Sequence, residues 1–230
     1  MNSISNLILI RHGQSEWNKQ DKFTGWVDVN LSSKGIEEAK EAGLKIKQAN
    51  IQFDHIYTSV LTRSIQTFNE INKICKFSVP VDQEWRLNER HYGGLQGLNK
   101  QKMREIYGDD QVLTWRRSYK TRPPELSDTA TSKLMNQECF LGEVIKDFPK
   151  CESLFDTFNR IKPFLIQRLL PSIKNKHNLL ISAHGNSIRA MLKFFEKISD
   201  DDIVKLEIPT GKPLHLAIRP DMDIAKKEYL

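Results

Sequence analysis

Short unbroken apolar runs alternate with longer periodic stretches along this chain of 230 residues. Leu7 to Ile10 is apolar at every position and too short for a helix. That is the pattern of a parallel strand covered on both faces. Leu31 to Ala49 predicts a helix, with Ser32 or Ser33 as cap and a loose apolar stripe of Ile36, Ala39, Leu44 and Ile46. Phe53 to Thr58 reads as a second strand, and Leu61 to Ile74 as a second helix carrying Ile65, Phe68, Ile71 and Ile74 on one face. Phe77 to Val81 is strand-like. Ser153 to Leu170 is long and amphipathic but contains Pro163, where a bend or break is expected. Asn178 to Ser182 repeats the buried-strand pattern, and Ser187 to Phe195 reads as a helix. Alternating strands and helices predict an α/β fold of three layers, a mostly parallel central sheet flanked by helices.

Between Gly93 and Pro149 the pattern is poor and rich in charge and proline. The expectation is one domain over residues 1–220, with 93–150 inserted over the active site and 221–230 a polar, mobile tail. Hydrophobic content of 39% and charged content of 28% fit a folded soluble protein. No apolar run approaches the roughly 20 residues of a membrane helix, and "MNSISN" lacks the basic and apolar regions of a signal peptide. Cys75, Cys139 and Cys151 are odd in number and widely spaced. They read as free thiols in a reducing cytoplasm. The net charge of +6 raises the question of an anionic partner. Without an arginine-rich helix, a zinc finger or an aromatic RNA-binding signature, neither nucleic acid nor membrane is the expected one.

The chemistry gathers at two similar turns, "LILIRHGQSEWN" from Leu7 and "LLISAHGNS" from Leu179. In each, a buried strand runs into His-Gly, so His12 and His184 fall just past strand ends. Ligands of open parallel sheets bind beyond those carboxyl ends, and the glycines allow a tight turn and close approach to a ligand. A metal is not expected, since no H-E-x-x-H or comparable ligand spacing is present. No G-x-S-x-G elbow offers a serine nucleophile either. A neutral imidazole is itself a nucleophile toward phosphorus. Arg11 precedes His12, and Arg63 in "YTSVLTRS" opens a helix at the same rim. Both can hold phosphoryl oxygens bidentately.

"LIRHGQSEWN", "FTGWVDVNLSSKG", "YTSVLTRSIQT", "LNERHYGGLQGLNK", "WRRSY", "AHGNSIRA" and "IPTGKPL" together resemble the cofactor-dependent phosphoglycerate mutases of the histidine phosphatase superfamily. The resemblance runs from about Leu7 to Leu214. It implies that His12 carries the phosphoryl group, that Glu89 exchanges the substrate proton, and that His184, Arg11 and Arg63 stabilise the group in transfer. It implies substrate contacts from Ser15, Asn18, Thr24, Gly25, Arg90, Tyr92, Lys100, Arg116, Arg117, Gly185 and Asn186. His55, His91, His177 and His215 are left with structural or solvent roles. The implied reaction interconverts 3-phosphoglycerate and 2-phosphoglycerate in glycolysis and gluconeogenesis, primed by 2,3-bisphosphoglycerate, without metal, in a homodimer or homotetramer. Two adjacent arginines on a helix point apart, so "WRRSY" is expected to be irregular or in a loop. Cys151 and Lys212 depart from the family pattern. A metabolite phosphatase with the same His12, a phosphoprotein-binding module and, more distantly, a nucleic-acid binder remain as rival readings.

Overall fold

The computed structural model describes residues 4–143 and 145–230; the opening residues of "MNSISN" thus lie partly outside it. Six strands form one sheet: β1 (Ser5–Arg11), β2 (His55–Thr58), β3 (Val81–Gln83), β4 (Leu179–Ala183), β5 (Pro213–Ile218) and β6 (Ile224–Tyr229), in the order β3-β2-β4-β1-β5-β6. The pairings β3-β2, β2-β4 and β4-β1 are parallel, and β1-β5 and β5-β6 are antiparallel. The helices are α1 (Glu16–Lys19), α2 (Ser33–Gln48), α3 (Thr62–Cys75), α4 (Lys100–Tyr107), α5 (Asp109–Arg117), α6 (Asp128–Met135), α7 (Leu154–Phe164), α8 (Leu170–Lys174) and α9 (Gly185–Glu196). Among the described residues no helix is long and apolar enough to cross a membrane.

The unbroken apolar run of β1 follows from its central place. Leu7 and Leu9 pack on one face with Ile161, Phe164, Ile188 and Met191 of α7 and α9. Ile8 and Ile10 pack on the other with Ala42, Ile46, Phe68 and Ile71 of α2 and α3. Successive strand residues point to opposite faces, so a strand between two helical layers must be apolar throughout. The expected three-layer α/β architecture is the one observed. Ser32 caps α2, its hydroxyl accepting from Gly35 N at 3.2 Å.

Three expectations are corrected. The second edge strand is Val81–Gln83, not Phe77 to Val81; Phe77 and Val79 instead pack beside the Ile8 cluster. Pro163 lies inside α7, which gives way one residue later to another helical form without the chain leaving the helical path. A π-helical stretch over Leu165–Leu169 follows it and leads into α8, so the helical path continues to Lys174. The segment 221–230, expected to be mobile, forms β6. Its backbone pairs with β5, Ile224 packs beside the Leu7 cluster and Leu230 beside the Ile8 cluster, so a polar surface sequence is held by strand pairing and two apolar anchors.

The poorly patterned segment from Gly93 is helical in three short pieces with small cores of their own. Trp26, Leu134 and Phe140 pack together, as do Phe23, Leu95, Met103 and Val112. Each α4–α6 helix is too short to show a long periodicity, which explains the weak pattern.

Candidate active site

Strand register brings the two histidines together. Arg11 pairs with Ala183 at the last rung between β1 and β4, and His12 N donates to the Ala183 carbonyl at 3.0 Å. His12 and His184 therefore leave adjacent strands at the same level, and their rings lie 4.9 Å apart between centroids. Thr58 pairs with Ser182 on the other side of β4, so Ser59 arrives at that level too. Its Oγ lies 2.7 Å from His184 Nε2 and accepts from Leu61 N at 3.2 Å. Arg63 follows in the first turn of α3.

His12 is buried, and its Nδ1 is 2.7 Å from the Gly13 carbonyl. A carbonyl only accepts, so Nδ1 carries the ring proton and Nε2 carries the lone pair. Burial, then Arg63 and Arg11, push the imidazole well below its ordinary range. His184 is pushed the same way by burial and by Arg63. Both rings are neutral near pH 7.

The arginines are anchored at one end and open at the other. Arg11 Nη1 donates to the Ile208 carbonyl at 2.7 Å, and Arg63 Nη2 to the Gly25 carbonyl at 2.7 Å. Arg11 Nε, Arg63 Nε, Thr24 Oγ1 and His184 Nδ1 are all buried without a hydrogen-bond partner. Burial pulls Arg63 down to about 10, against the opposing pull of Glu89 and Asp28, so it remains a cation at neutral pH. Unpaired buried polar atoms are costly, and four of them lie near one neutral histidine, with two of the four on guanidinium groups that can only donate.

Two adjoining cavities meet here. The smaller, of about 100 Å³, is lined by Arg11, His12, Asn18, Lys22, Phe23, Thr24, Gly25, Arg63, Glu89, Tyr92, Lys100 and Arg116. The larger, of about 310 Å³, is lined by Arg11, Glu89, Tyr92, Arg116, Arg117, Gly185, Asn186, Arg189, Glu207, Ile208 and Pro209. Glu89 lies between them. Its Oε1 accepts from Arg90 N at 2.8 Å and from Asn186 N, in the first turn of α9, at 3.0 Å. Its Oε2 has no hydrogen-bond partner among the described residues.

Most residues named from the sequence thus lie around these cavities; three, His184, Ser15 and Arg90, do not line either. Ser15 caps α1, accepting from Asn18 N while Asn18 Oδ1 accepts from Ser15 N, both at 3.1 Å. Arg90 is buried, lies over the Tyr92 ring at 4.6 Å and donates to the carbonyls of Trp115 and Arg116, both at 2.8 Å. It holds the end of α5 in place. "WRRSY" is correspondingly irregular only in its second part: Trp115, Arg116 and Arg117 belong to the last turn of α5, and Ser118 and Tyr119 lie beyond it. A helix ending at the rim lets neighbouring residues both reach the larger cavity. Gly13 also differs from expectation, because what approaches it is α2: an added Cβ would sit 2.2 Å from the Gly35 carbonyl oxygen. Gly25, at φ +59°, faces Gln96 in the same way.

Arg189, Ser59, Lys22 and Glu207 escaped the sequence reading. Arg189 Nη1 donates to Asn186 Oδ1 at 2.8 Å. It lies one helical turn beyond Gly185, and that spacing was its signal. Ser59, directly after β2, shared the rim signal of the histidines. Glu207 carried none. His91 is buried against Trp26, its Nδ1 accepting from Gly93 N at 3.0 Å, and burial pulls it down to about 3. Cys151 packs beside Gly93, and Lys212 is exposed.

A mostly parallel sheet with paired histidines and arginines at its carboxyl rim defines the class, that of the histidine phosphatases. Residues 7–139 match the histidine phosphatase superfamily (branch 1). The chain is 47% identical over 228 residues to a 2,3-bisphosphoglycerate-dependent phosphoglycerate mutase of Lactobacillus acidophilus, covering 99% of each. It is 49% identical over 225 residues to the protein of the same name from Enterococcus faecalis, covering 97% of this chain and 99% of that one. Among solved structures, a mycobacterial glucosyl-3-phosphoglycerate phosphatase superposes with a TM-score of 0.72 at 21% identity, over 98% of this chain and 97% of the other. A phosphoglycerate mutase from Bacillus anthracis superposes with a TM-score of 0.70 at 20% identity, over 99% and 92%. These two share the fold. The chain belongs to the histidine phosphatase superfamily and, within it, to the family of the 2,3-bisphosphoglycerate-dependent phosphoglycerate mutases.

Proposed function

We propose that this chain is an isomerase that interconverts 3-phosphoglycerate and 2-phosphoglycerate, a step of glycolysis and gluconeogenesis, through a phosphohistidine at His12. The observation that carries the proposal is the set of unpartnered buried polar atoms around a neutral His12, opening onto a second cavity lined by cations. A simple phosphate monoester needs one anion site. Two adjoining sites, sharing Arg11, Glu89, Tyr92 and Arg116, suit a ligand with anionic groups at both ends. 2,3-bisphosphoglycerate fits that arrangement, and when bound it supplies the phosphoryl group that charges the enzyme.

The residues divide the work. His12 Nε2 attacks phosphorus in line, and the bond to the leaving oxygen breaks. Glu89 Oε2 delivers a proton to that oxygen and, in the reverse sense, takes one from the attacking hydroxyl, assistance typically worth about 10²–10⁴-fold. Arg11 and Arg63 hold the equatorial oxygens with the N–H groups left free by their anchors. Ser59 Oγ holds the His184 ring at Nε2, 2.7 Å away, and so orients it beside the same group. Thr24, Gly25 and Asn18 line the transfer cavity, with Lys100 held beside it by Asp21 at 3.1 Å. Arg116, Arg117, Gly185 and Asn186 receive the outer end of the substrate, and Tyr92 borders both ends. Ser15 and Arg90 act by placing Asn18 and the end of α5. The arginines supply the positive charge, so no step calls for a metal. Incubation with 2,3-bisphosphoglycerate should add one acid-labile phosphoryl group to the peptide containing His12, read by mass spectrometry at neutral pH. Attachment to another residue, or none, would overturn the assignment.

A further inference from the structure

Arg117 stands at the outer side of the larger cavity, and it is already engaged. Its Nη2 donates to Glu207 Oε1 at 2.6 Å, with Glu207 77% exposed and Arg117 21% exposed. Glu207 lines the same cavity, and its carboxylate has no other hydrogen bond among the described residues. The neighbouring Ile208 holds Arg11 through its carbonyl at 2.7 Å. Two adjacent residues therefore grip an inner and an outer guanidinium of one site, but with different groups. A neutral carbonyl anchors Arg11 and leaves Nε open. An anionic carboxylate occupies Arg117 in the way a ligand's own oxygens would.

We propose that Glu207 is a built-in competitor for the outer anionic group of the ligand. Its carboxylate holds Arg117 in the free enzyme and is displaced into solvent when that group binds. This inference rests on the mutase reading, because it assigns Arg117 to the substrate. Displacement is feasible because an exposed ion pair is weak. A phosphate dianion carries more charge and more acceptor oxygens than a carboxylate. It meets Arg116 and Arg189 in the same cavity. An outer carboxylate competes with Glu207 on equal terms, whereas an outer phosphate prevails. Glu207 thereby biases this end of the site toward phosphate, and its effect falls on binding, not on the chemistry at His12.

The test compares wild type, Glu207→Gln, Arg117→Gln and the double variant in steady-state turnover of 3-phosphoglycerate at saturating primer, with KM and kcat separated. Calorimetric binding of 2,3-bisphosphoglycerate to the same four proteins, each also carrying His12→Ala so that no phosphoryl group is transferred, reads the competition without turnover. Glu207→Gln should lower KM and the dissociation constant about two- to fivefold, the range expected for releasing an exposed ion pair. In the Arg117→Gln background the same substitution should change neither. A rise or no change in both constants for Glu207→Gln overturns the proposal, since Glu207 would then be positioning Arg117 or idle. A decrease that persists without Arg117 also overturns it, by reducing Glu207 to a general field effect. Wild-type protein that fails to interconvert phosphoglycerates would instead sink the mutase reading, and the calorimetric comparison would still decide the role of Glu207.

Discussion

At the scale of the residue, His12 is made a nucleophile by its surroundings more than by its identity. The Gly13 carbonyl fixes the proton on Nδ1, while burial and two guanidinium groups disfavour a second proton. At about pH 6 an ordinary imidazole is roughly three-quarters charged. Nitrogen NMR of the phosphate-free protein should find His12 neutral at that pH, with Nε2 unprotonated. A ring titrating near 6.5 would contradict the geometry. The same shift sets a sign for stability. From about pH 6.5 downward the unfolded chain binds a proton at this position and the folded chain does not, so stability declines as pH falls through that range. His91, held down to about 3 by burial, adds to the same trend. The residue types at His12, Arg11 and Arg63 were legible in the sequence because each sits in or beside a strand end. Glu207 was not legible, because one acid among 29 acquires meaning only when the loop before β5 brings it to Arg117.

At the scale of the element, the site is assembled by strand register and helix docking. The His-Gly similarity of the two turns predicted a common rim, and the pairing of Arg11 with Ala183 supplies it. Gly13, however, serves packing between elements, whereas what approaches Gly185 is the Arg11 side chain, at 3.5 Å from an added Cβ. Gly13 and Gly35 meet back to back: a Cβ on Gly13 would lie 2.2 Å from Gly35 O, and a Cβ on Gly35 would lie 2.1 Å from Gln14 O. Ser32 N donates to Gln14 O at 2.8 Å and closes the junction. Gly13→Ala should therefore cost about 1–3 kcal/mol in denaturant unfolding, the usual range for overpacking. It should also displace His12 and slow its phosphorylation. Unchanged stability would mean that α2 is free to shift. Buried strands and long amphipathic helices were readable because their periodicities are set by burial on one or two faces. The edges were not. β3 is exposed at all three positions, and β6 reads "IAKKEY", so neither shows an apolar pattern even though both pair in the sheet.

At the scale of the whole molecule, the site draws on segments far apart in the chain. His12 comes from just past the first strand, Arg63 from the helix after the second, Arg116 and Arg117 from the short helices beyond Gly93, His184 from just past β4, and Ile208 from the loop before β5. Sequence motifs could name these residues, while only the assembled sheet and its overlying helices show which of them share a cavity. A phosphohistidine in such a site has two fates, return to a phosphoglycerate or loss to water, and exclusion of water decides between them. On the proposed reading, the second cavity bears on that choice by keeping the acceptor beside the charged histidine. The measurement that tests this most directly is phosphorus NMR of 3-phosphoglycerate with the protein, a trace of 2,3-bisphosphoglycerate and excess chelator. The 2-phosphoglycerate signal should grow, depend on the bisphosphate and vanish in His12→Ala. Steady accumulation of inorganic phosphate in its place, or conversion that survives loss of His12, would contradict a mutase working through His12.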